Sequence, residues 1–84
     1  NLLSLKKMEY KYRDIEKIVN YKSWPGRKKI DALLYIDSQL YTQLGINSSL
    51  KEKKQTKLKS KNIYKRIGKI DARLGRLFLQ SMDS

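Results

Sequence analysis

The sequence predicts an all-α fold: a small three-helix bundle or helical hairpin with a long basic C-terminal helix. Three observations lead there. Apolar residues recur at helical spacing in two long segments. Pro25, Gly45 and the Ser49/Glu52 pair supply stop and start signals around those segments. Finally, 39% hydrophobic residues in 84 positions is enough for one thin core.

Residues 1–84 read as a single helical domain with helices over about 9–20, 25–44 and 49–82, and with 1–7 flexible. A chain that starts with Asn is expected to be trimmed or cut from a longer product, with Met8 as the alternative natural start. The opening Asn1 to Lys7 is too short for a signal peptide and carries its charges on the wrong side. No apolar run approaches the ~18 residues that a bilayer span requires.

In the first helix, Tyr12, Ile15, Ile18 and Val19 form a narrow apolar stripe. Tyr21 to Arg27 is a break, because proline disfavours a helical Trp24 before it and suits the first turn of the helix after it. The second helix carries Ile30, Leu33, Leu34, Ile36, Leu40, Tyr41 and Leu44 at helical spacing. Gly45 is expected to end it in a left-handed conformation, with Ile46 folding back on the cap. Ser49 and Glu52 form a capping box for the third helix. There, Ile63, Ile67, Ile70, Leu74 and Leu77 fall at spacings of four, three, four and three, a heptad seam expected to pack on the Ile30 to Leu44 face. A continuous third helix would be roughly 48 Å long at ~1.5 Å per residue. Its first half holds only Leu50 and Leu58 as large apolar groups, so it is expected to project from the bundle or to order on binding. A break at Ser60 to Asn62 is the competing reading. Lys69-Ile70-Asp71-Ala72 echoes Lys29-Ile30-Asp31-Ala32, through similar helical roles or by coincidence.

Twenty Lys and Arg face eight Asp and Glu, a net charge of +12. That excess repels itself in a compact monomer, and a polyanionic partner would relieve it. The charge is uneven: residues 1–29 carry +6, 30–50 carry −2, 51–66 carry +7 and 67–84 carry +1. The candidate phosphate-binding residues are therefore Lys51, Lys53, Lys54, Lys57, Lys59, Lys61, Lys65 and Arg66 on the third helix, with Arg27, Lys28 and Lys29 at the start of the second. On the third helix these cations point in nearly every direction, which argues against a membrane-surface helix. The alternative is a solvated helix kept soluble by lysine.

Trp24 or Tyr21 would stack on a base if the Trp24 to Lys29 segment contacts nucleic acid. Packing of Trp24 on the bundle end is the preferred reading, since one Trp is a large share of a small core. Asp37 lies beside the apolar line of the second helix and is expected at its margin; buried, it would need a partner such as a tyrosine hydroxyl. Gly68 and Gly75, seven apart, would allow close approach of another helix.

The sequence has no histidine and no cysteine, which removes the commonest general base and all thiolate chemistry. Its carboxylates do not cluster, and no phosphate-cradling glycine loop or nucleophile elbow is present. No enzymatic activity, cofactor or metal is expected.

The run Lys28 to Leu34, with Leu40 to Ile46, Ile63-Tyr64-Lys65 and Leu77 to Asp83, resembles small basic proteins of AT-rich tailed phages. The resemblance implies a phage accessory or virion protein, in the host cytoplasm or the particle, with DNA as the polyanion. It carries no site residue. The expected function is largely sequence-independent binding of DNA or RNA. The alternative is a structural or adaptor protein, a virion component or an inhibitor, whose seam binds another protein or a second copy.

Overall fold

The computed structural model describes residues 10–82, and among them only helices and turns occur. The expectation for residues 1–7 falls outside the described residues; the first helix expected over 9–20 is shorter, because Tyr10 and Lys11 are not helical. A single 3₁₀ turn, Tyr12–Asp14, leads into α1, Ile15–Val19. Its apolar stripe is used as the spacing requires: Ile15 and Ile18 are buried, and Tyr12 and Val19 pack against them. The ammonium of Lys29 donates to the Val19 carbonyl at 2.9 Å, satisfying the end of α1 with a cation at its negative pole.

Helix α2, Gly26–Thr42, begins directly after Pro25, whose extended backbone makes it the N-cap. Ile30, Ala32, Leu33 and Ile36 are buried along it. The helix ends two residues short of the expected Leu44, and the expected glycine cap does not form. No described glycine has positive φ, and Ile46 is fully exposed. The Ser48 hydroxyl instead accepts the Gly45 N–H at 2.8 Å while the Ser48 N–H donates to the Gly45 carbonyl at 3.1 Å. A side-chain-closed turn thus replaces the left-handed stop.

Helix α3, Leu50–Ile70, opens on the Ser49/Glu52 capping box. It runs unbroken through Ser60 to Asn62, so the competing break is absent. Thr56, Ser60, Ile63 and Ile67 are buried along one face, so the basic half packs on the bundle from Thr56 onward. Only the first turns project.

The single helix expected to continue to residue 82 is instead two. Asp71 adopts an extended conformation (φ −140°, ψ 100°) and its carboxylate accepts the Leu74 N–H at 3.1 Å, capping α4, Ala72–Met82. Helix α4 folds back along α3: Gly75 lies on Gly68, and the Phe78 ring stacks on Tyr64 with centroids 5.1 Å apart. The heptad seam is therefore divided. Ile63 and Ile67 are fully buried, Ile70 and Leu74 are half-buried at the corner, and Leu77 is 52% exposed. No continuous coiled-coil face exists.

The corner depends on Gly75. A Cβ built there would lie 2.3 Å from the Gly68 Cα, whereas one built at Gly68 would lie 3.7 Å from the Gly75 Cα, an ordinary contact. Gly75→Ala should therefore separate α3 from α4 and cost about 1–3 kcal/mol. Gly68→Ala should be neutral, or gain up to about 1 kcal/mol from helix propensity. Urea unfolding followed by circular dichroism measures both, and equal destabilisation by the two changes would contradict the asymmetry.

Candidate polyanion-binding surface

Helix α3 is the central element, in contact with each of the other three helices. Toward α2 it presents its buried face, and the register is held by a polar contact. Asp37 on α2 is buried, not marginal as its place beside the apolar line suggested. Ser60 donates to one carboxylate oxygen at 2.5 Å and Tyr64 to the other at 2.7 Å. These two residues are one turn apart on α3, so together they grip both oxygens and fix the rotation of α3. A buried carboxylate is tolerated because both oxygens have donors. Toward α1, Arg66 pairs with Glu16, and the Asn62 amide donates to the Tyr12 hydroxyl at 2.8 Å.

With that rotation set, the cations of α3 separate into groups. Lys54, Lys57, Lys61 and Lys65 line one open groove of about 460 Å³ together with Leu58 and, from α4, Leu79 and Met82. All four lysines are exposed, and none has an ion-pair or hydrogen-bond partner among the described residues. Lys51 and Lys53 are exposed in the first turn, where the positive end of the helix dipole adds to their field. Lys59 faces the other way, its ammonium 5.2 Å from the Tyr12 ring centre. Arg66 is held by Glu16.

The cations at the start of α2 are mostly engaged. Lys28 lies over Trp24, 4.4 Å from the ring centre, and Lys29 serves as the cap of α1. Arg27 is exposed beside Ile70 and Leu74, at the α3–α4 corner. From Ile70 back to Lys57 is about 20 Å of helix at ~1.5 Å per residue. The fold thus does not merge Arg27, Lys28 and Lys29 with the lysines of early α3. Trp24 is half-buried against the core, with Tyr21 stacked on it at 4.8 Å and Tyr10 at its edge at 5.9 Å. Tyr21 and Trp24 thus stack on each other, and Trp24 packs against the core.

Two features were not legible as a site. Asp37 has an ordinary amphipathic context in the sequence, and nothing local names Ser60 and Tyr64 as its partners. Lys11 and Arg13 entered only as part of a basic segment, yet the fold sets them in an open groove with Lys59.

Among the described residues, no group of His, Cys, Asp or Glu is placed to hold a metal ion, and no helix is long and apolar enough to cross a membrane. Comparison with protein families, curated proteins and solved structures yields no match.

The Tyr64 hydroxyl is raised above its ordinary pKa of 10.0, chiefly by burial; the Asp37 carboxylate adds to the rise and the Ser60 hydroxyl opposes it. The folded state therefore holds this proton more tightly than the unfolded state. Its contribution to stability is complete below pH 10 and is lost as pH rises through the folded-state value. In chemical denaturation, wild type should lose stability relative to Tyr64→Phe as pH rises above 10; a constant difference would contradict this. At neutral pH, Asp37→Ala should cost about 2–3 kcal/mol, because it leaves two hydroxyls without their acceptor.

Proposed function

We propose that this protein is a non-enzymatic nucleic-acid binder that holds DNA or RNA through phosphate contacts, largely without regard to sequence. The observation that carries this reading is the group Lys54, Lys57, Lys61 and Lys65: four exposed cations on one side of α3, none paired with a carboxylate among the described residues. Contacts within the described residues do not explain them, since none of the four pairs with another side chain there. A phosphate backbone supplies charges at a spacing that several lysines on a helix face can follow, and it releases counterions on binding. The small helical bundle then acts as a rigid platform, with α4 bracing the back of the lysine row. The absence of histidine and cysteine supports a binding role over a catalytic one. A place among phage accessory proteins, with DNA as the polyanion, rests on the sequence resemblance.

The adaptor reading has less to work with. Ile63 and Ile67 of the seam are fully buried within the chain, so a protein partner or second copy would meet Tyr41, Ile46, Leu50, Leu58 and Leu77, the large hydrophobics exposed among the described residues, of which only Leu77 belongs to the seam.

Fluorescence anisotropy with generic duplex DNA and single-stranded RNA across a salt series tests the proposal. Affinity should fall steeply with salt. Replacing Lys54, Lys57, Lys61 and Lys65 with Gln should flatten the duplex salt slope by up to about 3.6, at about 0.9 per lost phosphate contact. No binding at low salt would overturn the reading, and an unchanged slope would move the site elsewhere.

A further inference from the structure

On the opposite side of α3 from the lysine row, the approach to α1, α2 and α3 enclose an open groove of about 680 Å³. Its chemistry differs from that of the row. Tyr10, Tyr12 and Tyr35 are half-buried in its walls, and the cations Lys11, Arg13 and Lys59 are exposed at its edges. Among the described residues, no carboxylate lines it. Tyr35, Gln39 and Gln43 follow one another at spacings of four, so α2 presents a ring and then two amides along one wall.

We infer that this groove is a second binding site, for a single-stranded segment of nucleic acid whose bases enter it. The inference deepens the nucleic-acid reading and rests on it, but it uses different residues. An unpaired base offers a flat apolar face and a hydrogen-bonding edge, with a phosphate on each side. Tyrosine rings stack on such faces whatever the base, and cations at the margin hold the flanking phosphates. A duplex keeps its base faces stacked inside and would meet only the cations. The volume falls within the roughly 300–1,000 Å³ of small-molecule sites, large enough for a nucleotide to enter.

The ends of the groove differ electrostatically, and this orients the strand. Gln39 and Gln43 lie at the C-terminal end of α2, the negative pole of that helix, where phosphate is disfavoured. Base edges, with amino groups to donate, suit that end and the Gln amides. Phosphates belong beside Lys11 and Arg13, on the approach to α1. The ring of Tyr12 is held in place by the Asn62 amide on its hydroxyl and by the Lys59 ammonium 5.2 Å from its centre. One wall of the groove is thus formed before any ligand arrives.

The test uses the full chain with two probes, a mixed-sequence single-stranded oligonucleotide and the corresponding duplex. Tyr10→Leu combined with Tyr35→Leu keeps the charge and an apolar side chain at each position but removes two stacking faces. It should weaken single-strand binding about ten-fold or more and leave duplex binding within a factor of about two. A thermal melt of the variant confirms that the fold survives. As a readout independent of any variant, single strands carrying 5-iodouracil, irradiated on the wild-type protein, should cross-link to Tyr10, Tyr12 or Tyr35. Cross-links confined to Lys54 to Lys65, or equal single-strand affinity for the folded double variant, would overturn the groove site while duplex binding kept the phosphate reading intact. Failure of both probes to bind at low salt would overturn both.

Discussion

The arrangement of this molecule depends on one buried carboxylate. Asp37 sits inside the α2–α3 interface, and Ser60 and Tyr64 donate to its two oxygens from successive turns of α3. An apolar interface of isoleucines and leucines is permissive, since it tolerates small rotations and shifts of one helix on another. A carboxylate with two donors is not permissive, because any rotation that breaks one bond strands a charge away from water. Everything on the outer faces of α3 inherits its direction from this contact. Lys54, Lys57, Lys61 and Lys65 are brought beside α4, and Lys59, Asn62 and Arg66 are brought against the segment that includes Tyr12 and Glu16.

Charge is the second constraint. A net +12 on 84 residues is a standing repulsion. The described structure holds one ion pair, Arg66 with Glu16, and uses Lys29 and Lys28 for capping and for contact with Trp24. The remaining lysines of α3 are left as an uncompensated field beside apolar helices. Such a field attracts polyanions from a distance set by ionic strength. In the proposed reading the two surfaces would divide the work accordingly, the lysine row toward phosphate backbone and the tyrosine-walled groove toward exposed bases.

Much of the fold was legible in the chain. The Ser49/Glu52 box, the start of α2 at Pro25, the Ile15/Ile18 stripe and the packing of Ile63 and Ile67 on α2 all follow from local signals of spacing and capping. These signals act over three or four residues, so they survive in any fold. The Gly45 cap failed for a related reason: the nearby Ser48 hydroxyl offered the Gly45 N–H another partner, and a turn closed by a side chain competes with a left-handed glycine stop. The basic character of the candidate site was legible as a total. Which lysines share a face with α4, and which cations join Tyr10, Tyr12 and Tyr35, was not, because those groupings arise between segments far apart in sequence.

The clearest division between local and tertiary control lies in a repeated tetrapeptide. Lys29-Ile30-Asp31-Ala32 runs through the interior of α2, while Lys69-Ile70-Asp71-Ala72 contains the break between α3 and α4. Composition, spacing and charge alone determined that this is a basic, all-helical chain with a thin core, since those properties do not depend on what packs where. They could not decide the second tetrapeptide. Ile70 lies beside Gly26, where α2 begins, so a straight α3 would run past the end of its partner and leave Leu74, Phe78 and Leu79 in water. Folding back at Asp71 half-buries Leu74 and Phe78 against the core, each gaining part of the roughly 1.5–3 kcal/mol that full burial gives. The backbone bonds lost at the break are worth about 1 kcal/mol each, and Asp71 recovers one of them as a cap. Only the length of the neighbouring helix, a property of the assembled structure, made that exchange favourable.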